Sequence, residues 1–409
     1  MSSTQTLPVF SKQPPEVSIV MPCLNEAETL QACIEEAWLA IRKCGVSGEV
    51  VVADNGSIDK STSIAIQAGA RLVRVIEKGY GNALMGGIQE ANGVYVLMGD
   101  ADGSYDFGEL PAFLELLRQG KDLVMGCRLP AGGGVIKPGA MPWKHRWLGN
   151  PVLSGMGKLF FNAPIDDFHC GLRAFRRDAI LALDLRCAGM EFASEMVVKS
   201  TIAGLKIDQV PITLRPDGRS RAPHLRSWRD GWKHLRFMLL FSPRWLFFIP
   251  GFILFAAGII GFLALMQGPI RIGAVTFDTN TLLVCSATIL IGFQILFFAV
   301  YTKTFAVRAG LLRPDPRITW LLSARPVEWG ISIGLVLALL GMGYLVYSVL
   351  QWQEVHFGNL SYSTSLRIVI PGITSIALGI QCIFSGFALA VLGLERRLRR
   401  SGTYESGYR

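Results

Sequence analysis

Two aspartates stand one residue apart in the stretch VLMGDADGSYD, directly after a short apolar run that is typical of a buried strand. Asp100 and Asp102 would repel each other in a cleft, and one of them would be driven toward its neutral form. A divalent cation removes this repulsion, since Mg²⁺ or Mn²⁺ accepts carboxylate oxygens alongside those of a diphosphate. We therefore predict that a metal ion and a nucleotide diphosphate bind at this pair.

Two further polar motifs follow predicted strands in the same half of the chain, PCLNEAE after the first strand and DNGSIDKS after the second. Ligands of parallel sheets bind beyond the carboxyl ends of the strands, so the three motifs are expected to surround one crevice. Taken singly, Asn25 and Asp54 could equally be a turn residue and a helix cap. The stretch GYGNALMGG is not a dinucleotide fingerprint, because the third glycine of that motif would fall at Leu84.

Short β-rich runs alternate with helical patterns over this half of the chain. The predicted strands are Val17–Met21, Glu49–Ala53, Arg71–Ile76, Tyr95–Met98 and Leu123–Met125. Helical patterns such as Thr29–Lys43 and Phe107–Gln119 lie between them. This order predicts an α/β fold whose mostly parallel sheet has helices on both faces.

The second half of the chain is strongly apolar. Hydrophobic residues make up 51% of the 409 residues, and the mean hydropathy of +0.38 is too high for a wholly soluble protein. The excess lies in four stretches without charged residues, Trp245–Gln267, Thr281–Thr302, Trp329–Trp352 and Ile368–Leu394. Each is long enough to cross a bilayer, which predicts four transmembrane helices with both chain ends on one side.

Basic residues predict the orientation, because short cytoplasmic loops are enriched in lysine and arginine. The loop between the second and third stretches and the tail carry Lys303, Arg308, Arg313, Arg317, Arg325, Arg396, Arg397, Arg399 and Arg400. The opposite loops have only Arg271 and Arg367. We expect a multi-pass protein of the cell inner membrane or plasma membrane whose N-terminal domain is cytoplasmic. Anionic lipid headgroups, rather than nucleic acid, explain the net charge of +9.

A basic amphipathic pattern precedes the first apolar stretch. One helical stripe contains Leu225, Trp228, Trp232, Leu235 and Leu239, and the basic residues around it are Arg226, Arg229, Lys233 and Arg236. This pattern favours a helix that rests in the bilayer interface over an ordinary amphipathic core helix. The predicted organisation is a polar tail (1–15, with no signal peptide), a catalytic domain (16–222), an interfacial helix (223–243), four transmembrane helices (244–394) and a basic cytoplasmic tail (395–409).

Five motifs stand in an order that resembles glycosyltransferase family 2. They are VSIVMPCLNEAETL, VVADNGSIDKS, KGYGNALMGG, MGDADGSYD and DDFHCGLRAF. Together they are similar to the polyprenyl-phosphate glycosyltransferases, which include dolichol-phosphate mannose synthase, whereas each motif alone is weak. The resemblance implies a nucleotide-sugar-binding domain of the GT-A type over roughly the first half of the chain.

The resemblance also implies which residues bind the donor. The implied nucleotide-sugar-binding residues are Pro22, Asn25, Glu26, Asp54, Lys78, Gly79 and Asp100. Asp100 and Asp102 match the metal-binding pair, and Ser104 stands where relatives often carry a longer third ligand. Asp102 is also expected to be catalytic.

The remaining implied residues concern the reaction and the acceptor. Asp167 matches the aspartate of a motif read here as DFHCGLR, in which Leu172 replaces a phenylalanine, and relatives place this carboxylate at the reacting centre. Residues that match or lie near basic positions for the acceptor phosphate, with one hydroxyl partner, are Arg128, Arg146, Ser154 and Arg221. Each arginine could equally be a solvated surface residue.

The histidine, glutamate and cysteine residues considered next give weaker indications of a function. His145 and His169 have no second histidine or cysteine at a ligand spacing and are more typical of structural histidines. Glu191 and Glu195 would share a helix face, and only Glu195 matches an acidic position of the family. The eight cysteines form no C-x-x-C pair, and those of the cytoplasmic half are expected to be reduced.

We therefore expect metal-dependent, inverting transfer of a hexose from a nucleotide-diphosphate sugar to a polyprenyl phosphate. The product would be a β-linked polyprenyl-phosphate sugar. A processive polysaccharide synthase is an alternative, but its Gln-x-x-Arg-Trp signature is missing, since FSPRW has Phe241 in place of the glutamine. A non-enzymatic lipid carrier or scaffold would not need Asp100, Asp102 and Asp167. The sequence leaves the sugar, the nucleotide and a homo-oligomeric state open.

Overall fold

The computed structural model describes residues 14–220, 227–309, 312, 315–323 and 325–400. The chain divides into two compact units, with the boundary between Met238 and Leu239. The first unit contains an α/β sheet domain and most of one basic helix. The second unit consists mainly of long apolar helices.

The first unit is built on a seven-stranded sheet with the strand order β3-β2-β1-β4-β7-β5-β8. Its strands are β1 (Val17–Cys23), β2 (Gly48–Asp54), β3 (Arg71–Arg74), β4 (Tyr95–Met98), β5 (Leu123–Cys127), β7 (Arg173–Arg176) and β8 (Ile207–Pro211). Strand β7 is antiparallel to both of its neighbours, and the other described pairings in this sheet are parallel. Two short strands, β6 (Val135–Ile136) and β9 (Thr213–Leu214), form a separate parallel pair.

Eight helices accompany these strands in the described part of the first unit. They are α1 (Leu30–Cys44), α2 (Ser61–Gln67), α3 (Tyr80–Glu90), α4 (Leu110–Arg118), α5 (Asn150–Phe161), α6 (Arg177–Leu181), α7 (Phe192–Ala203) and α8 (Ser227–Leu240). Strands β1 and β2 are buried along most of their length, as expected for parallel strands with helices on both faces. Helix α1 buries Cys33, Ile34, Ala37 and Ile41, which share one face at helical spacing. The predicted α/β fold with a mostly parallel sheet is confirmed.

The predicted strands differ from the observed ones in detail. Strand β3 ends at Arg74 rather than Ile76, and β5 continues to Cys127. Strands β7 and β8 were not predicted. The sequence of β7 is RAFR, and its buried Arg173 hides the strand from any search for apolar runs. Because β7 runs against its neighbours, the loop that precedes it lies at the carboxyl edge of the parallel strands.

Helix α8 corresponds to part of the predicted interfacial helix. The side chains of His234, Phe237 and Met238 are buried, whereas Trp232 and Leu240 are each 58% exposed. The helix therefore packs through one side and leaves another side open. Residues 221–226, with the first residues of the predicted stripe, lie outside the described residues, and the interfacial location stays a prediction.

Four helices of the second unit are long and apolar enough to cross a membrane, spanning Arg244–Met266, Thr279–Arg308, Pro326–Glu354 and Tyr362–Gly393. The corresponding α-helical segments are α9 (Ile249–Met266), α10 (Thr279–Arg308), α12 (Pro326–Glu354) and α13 (Tyr362–Arg400). A short hairpin of β10 (Ile270–Ile272) and β11 (Val275–Phe277) follows α9, and α11 (Pro316–Ser323) precedes α12. The four predicted apolar stretches are thus confirmed as helices.

Candidate active site

The sheet brings the polar motifs together at one edge. Strands β1, β2, β4 and β5 are parallel to one another, so the residues that follow them lie on the same side of the sheet. The loop that enters the reversed strand β7 joins them there and carries Asp167. Ligands of such sheets bind at this edge, which makes it the candidate active site.

The turns after β1 and β2 are fixed against each other by their own polar groups. The Asn25 Oδ1 atom accepts a 2.8 Å hydrogen bond from the Ile58 backbone N–H. The buried carboxylate of Asp54 accepts from the backbone N–H groups of Gly56 and Ser57, at 3.2 and 3.1 Å. Asn25 and Asp54 therefore stabilise the two turns, which lie at the edge of the sheet where the crevice is predicted. Pro22, within β1, is half-buried.

Lys78 and Gly79 are held beside this turn by Asn55, a residue that the sequence analysis did not single out. The Asn55 Oδ1 atom accepts from the Gly79 N–H at 2.8 Å, and the Asn55 carbonyl accepts from Lys78 Nζ at 2.6 Å. Gly79 has a φ of 138°, and a Cβ there would lie 2.2 Å from the Ala188 carbonyl oxygen. A side chain is thus excluded at Gly79 by conformation and by contact.

The Ala188 loop is in turn positioned by Glu195. This buried carboxylate accepts hydrogen bonds from the backbone N–H groups of Arg186 and Cys187 and pairs with Lys199 at 2.7 Å. Glu195 therefore fixes the loop whose Ala188 carbonyl lies against Gly79.

Asp100 and Asp102 follow β4 at the centre of the edge. The Tyr80 hydroxyl donates to Asp100 Oδ1 at 2.8 Å, and the Ser104 backbone N–H donates to Asp102 Oδ1 at 3.0 Å. Burial, together with the neighbouring Asp102 charge, raises the pKa of Asp100 to about 7. This is the effect expected of two adjacent carboxylates that share a partly desolvated site.

Arg219 is the cation nearest to this pair in the described part of the chain, and the sequence analysis missed it. Its Nη2 atom donates to Asp102 Oδ2 at 2.8 Å and to Asp217 at 3.0 Å, and its Nη1 atom donates to Glu26 Oε1 at 3.3 Å. Burial alone would lower the pKa of Arg219, but Asp102 and the other carboxylates raise it. The site thus holds a positive charge between Asp102 and Glu26.

Asp167 and Arg128 form a buried ion pair. Arg128 Nε and Nη2 donate to the two carboxylate oxygens at 2.7 and 2.9 Å, and the Arg128 backbone N–H adds a 3.1 Å bond. Asp167 is completely buried. Burial would raise its pKa, but the guanidinium holds that pKa below its ordinary value. The Arg128 charge also partly offsets the rise in the pKa of Asp100 that burial and Asp102 cause.

Two of the other residues predicted for the acceptor phosphate, Arg146 and Ser154, lie on or near α5. The buried Ser154 hydroxyl accepts from the Phe168 N–H at 3.1 Å, so its contact is with the Asp167 loop. The Arg146 guanidinium carbon lies 5.4 Å from the Trp147 ring centroid. Its buried Nε atom has no hydrogen-bond partner among the described residues. Arg221 lies outside the described residues.

Comparisons with known proteins decide the family. The family model "Glycosyl transferase family 2" matches residues 18–183, and "Glycosyltransferase family 2 C-terminal transmembrane region" matches residues 300–393. The low-salt glycan biosynthesis hexosyltransferase Agl6 of Haloferax volcanii is 36% identical over 93% of this chain and 89% of that protein. The chain belongs to glycosyltransferase family 2. The predicted enzyme class is confirmed, and the family 2 transmembrane region together with the four apolar helices indicates a membrane protein.

Other similar proteins cover about half of the chain. A dolichyl-phosphate hexose transferase of Haloferax volcanii is 28% identical over 49% of this chain and 83% of that protein. A structure of glucosyl-3-phosphoglycerate synthase from Mycobacterium tuberculosis with Mn²⁺, uridine diphosphate and glucosyl-3-phosphoglycerate is 21% identical. That match covers 58% of this chain and 85% of the other, with a TM-score of 0.44.

In this glycosyltransferase, hydrogen bonds through Ser194 connect His169 to His234 on α8. Its Nε2 atom lies 3.0 Å from the Ser194 hydroxyl, which lies 2.8 Å from His234 Nδ1. Burial and the nearby His234 lower the pKa of His169 well below its ordinary value. The contacts agree with the structural role predicted for His169. The second histidine, which is distant in sequence, was not foreseen.

Proposed function

We propose that this family 2 glycosyltransferase transfers a hexose from a nucleotide-diphosphate sugar to a polyprenyl phosphate. The observation that carries the proposal is the position of a carboxylate pair and a buried arginine at one sheet edge. Asp100 and Asp102 suit a metal-bound diphosphate, and Arg128 suits a second anion close to it. The names of the two Haloferax volcanii relatives, a hexosyltransferase and a dolichyl-phosphate hexose transferase, support the same chemistry.

The residues predicted to bind the nucleotide-sugar donor include carboxylates that are suited to hold a divalent cation. Within the described chain, no three His, Cys, Asp or Glu side chains are grouped as a complete metal site. A cation at Asp100 and Asp102 would therefore take its remaining ligands from the diphosphate and from water, as Mg²⁺ commonly does. Ser104, the third ligand predicted from the sequence, contacts this pair through its backbone N–H, which is not a metal ligand. When bound, Mg²⁺ or Mn²⁺ would neutralise the diphosphate leaving group.

Arg219 supports this assignment because it already places a positive charge against Asp102 and Glu26. A guanidinium between two carboxylates indicates a site that stabilises cations. With the donor and the metal bound, Arg219 could exchange its contact with Asp102 for one with the diphosphate. The pocket of Asn25, Glu26, Asp54, Lys78 and Gly79 would then hold the nucleoside.

The acceptor needs orientation more than deprotonation. A phosphate monoester has a second pKa of about 6 and is largely dianionic at neutral pH. This agrees with Asp167, whose carboxylate is already occupied by Arg128 and has a lowered pKa. Asp167 fixes the guanidinium plane through Nε and Nη2, and the remaining nitrogen, Nη1, would be the one that contacts the acceptor. Asp167 therefore acts through Arg128 rather than as a general base.

The transfer is a direct displacement with inversion. An oxygen of the acceptor phosphate forms a bond to the anomeric carbon as the bond from that carbon to the donor diphosphate breaks. The nucleoside diphosphate leaves with the bonding electron pair, and a β-linked polyprenyl-phosphate sugar results from an α-linked donor. Positioning of the donor by Asp100 and Asp102 and charge stabilisation by Arg128 would supply most of the rate enhancement.

The reaction takes place at the cytoplasmic face of the membrane. The basic loop between the second and third membrane helices favours this orientation. Helix α8 has basic residues and the exposed Trp232, and it would rest in the bilayer interface. It belongs to the predicted interfacial helix (223–243), which directly follows the predicted catalytic domain (16–222).

A donor screen tests the proposal. Purified full-length protein is incubated with undecaprenyl phosphate, Mg²⁺ or Mn²⁺ and a panel of radiolabelled uridine- and guanosine-diphosphate hexoses, and the lipid fraction is counted. We expect one donor to label the lipid, and no label with Asp102→Asn or a chelator. Absence of lipid labelling from every donor, with label in a water-soluble polymer instead, would overturn the proposal.

A further inference from the structure

Helix α5 has an inner face that supports the active site. The Ser154 hydroxyl binds the Phe168 N–H, and a Cβ at Gly157 would lie 2.5 Å from the Phe168 ring. The inner face therefore packs directly on the loop that carries Asp167. Nothing in this packing explains the residues on the opposite face of the same helix.

The outer face of α5 is apolar and exposed. Leu148, Val152, Gly155 and Leu159 are spaced by four, three and four residues, which places them on one stripe of the π-helical turn at His145–Gly149 and of α5. Leu148, Val152 and Leu159 are 61%, 49% and 60% exposed. Most exposed apolar side chains occur singly on a surface, so a continuous stripe of this kind indicates a binding surface.

Aromatic and basic side chains extend the stripe at its N-terminal end. Trp143 and Trp147 are each 68% exposed. Lys144 Nζ lies 5.9 Å from the Trp143 ring centroid, and the Arg146 guanidinium lies over Trp147. Exposed tryptophan beside lysine and arginine is typical of segments at the boundary between lipid headgroups and acyl chains.

The unpaired charge of this region is positive. Residues 123–165 contain five lysines and arginines and no aspartate or glutamate. Arg128 pairs with Asp167 and Lys158 pairs with Asp166, which leaves Lys137, Lys144 and Arg146. Two copies of the surface in a symmetric dimer would bring Lys144 and Arg146 of each chain toward those of the other, which is unfavourable. An anionic surface is the complementary partner, and the cytoplasmic leaflet of a cell membrane is one.

We infer that residues 141–161 form a membrane-contacting surface of the catalytic unit, whose apolar stripe enters the headgroup region of an anionic bilayer. This surface is formed by other residues than those of α8 and of the four membrane helices. It explains why α5 has an apolar stripe opposite the face that packs on Phe168. Under the proposed function, on which this one consequence rests, the acceptor phosphate would reach Arg146 while its hydrocarbon chain stays in the bilayer.

Photocrosslinking in a bilayer tests the inference. The photoreactive residue p-benzoylphenylalanine replaces Leu148 in full-length protein, reconstituted in nanodiscs of phosphatidylethanolamine and phosphatidylglycerol. The matched control is the same replacement at Ile66, on α2, which is also 61% exposed. After illumination, we expect intact mass spectrometry to show phospholipid adducts at position 148 at least fivefold more often than at position 66.

Leu159 provides a second position on the same stripe, in case the first variant does not fold. Equal adduct yields at positions 148, 159 and 66 would overturn the inference, and so would crosslinks at 148 and 159 to a second chain in place of lipid. The readout needs neither donor nor turnover. Lipid adducts on a protein inactive in the donor screen would therefore refute the proposed function alone, whereas an active protein without adducts would refute this inference alone.

Discussion

Asp167 and Arg128 are the residues whose interpretation changes most when their contacts are known. The family motif predicts that Asp167 lies at the reacting centre. Its carboxylate is completely buried and accepts hydrogen bonds from three N–H groups of Arg128. Removing one partner of such a pair leaves an uncompensated buried charge, whereas removing both charges is much less costly. Measurements of the free energy of unfolding can therefore separate the contribution of this ion pair to folding from its proposed role in acceptor binding.

We expect Arg128→Ala to lower the free energy of unfolding by about 3 to 5 kcal/mol, because Asp167 loses its counter-charge. The control is Arg128→Met combined with Asp167→Asn, which should recover at least half of that loss. Urea unfolding of the detergent-solubilised chain, followed by tryptophan fluorescence, provides the measurement. Wild-type stability in Arg128→Ala would show that the ion pair does not form.

The same pair has a defined pH dependence. The folded pKa of Asp167 lies below its unfolded value of about 4. Stabilisation by this carboxylate is therefore complete above the unfolded pKa and is lost as the pH falls through the folded pKa. In Arg128→Ala, burial without the guanidinium would instead raise the pKa of Asp167 above its unfolded value, so this variant loses stability as the pH rises. The stability difference between wild type and Arg128→Ala should consequently increase from pH 5 to pH 8.

Asp102 is the second residue with a sharp expectation. Asp102→Asn should lower transfer at least a hundredfold and weaken Mn²⁺ binding in the presence of nucleoside diphosphate, because a charged ligand is lost. Asp217→Asn is the matched control, since Asp217 also contacts Arg219 but lies outside the carboxylate pair. Calorimetric titration with Mn²⁺ and initial rates give the two readouts. Near-normal rates for Asp102→Asn in saturating Mn²⁺ would contradict the metal assignment.

At the scale of elements, the sequence predicts those whose apolar pattern is regular. Strands β1, β2 and β4 and helix α1 were located within one or two residues, because both faces of the strands and one face of the helix are buried. Strand β7 escaped prediction because it buries Arg173, whose guanidinium is satisfied by the carbonyl oxygens of Cys170 and Ala193. A buried charge satisfied by backbone groups leaves no apolar signature.

The candidate site was predictable where residues follow strands and not where distant segments return to it. Asp54, Asp100 and Asp102 end or follow predicted strands, and the topology brings them to one edge as expected. Arg219 reaches Asp102 from a loop 117 residues further on, and no local pattern marks such a contact. The pairing of Arg128 with Asp167 and the link from His169 to His234 are likewise contacts between segments distant in sequence.

The membrane helices α12 and α13 provide a test at this scale. They pack through small residues, and a Cβ at Gly379 would lie 2.5 Å from the Gly334 carbonyl oxygen. Gly379→Val should lower the unfolding free energy by about 1 to 3 kcal/mol through overpacking. The control is Gly343→Val on α12, where a Cβ meets no atom within 4 Å. Denaturant titration in detergent compares them, and equal stability of the two variants would contradict the close packing.

At the scale of the whole molecule, orientation is the feature that the basic loops predict most directly. A membrane-impermeant thiol reagent should label Asn359→Cys from outside intact cells, because the loop before α13 has little basic charge. Thr319→Cys, on α11 in the basic loop, should be labelled only after the cells are opened. The wild-type chain corrects for its own cysteines. The opposite labelling pattern would place the catalytic domain outside.

The identity of the two products tests the central claim most directly. Full-length protein in proteoliposomes is supplied with undecaprenyl phosphate and the donor selected by the screen, and both products are identified by mass spectrometry. We predict equal amounts of nucleoside diphosphate and of undecaprenyl phosphate carrying one hexose, with neither formed by Asp102→Asn. Nucleoside monophosphate together with a lipid carrying a sugar diphosphate, or a sugar polymer beside unmodified lipid, would contradict the account.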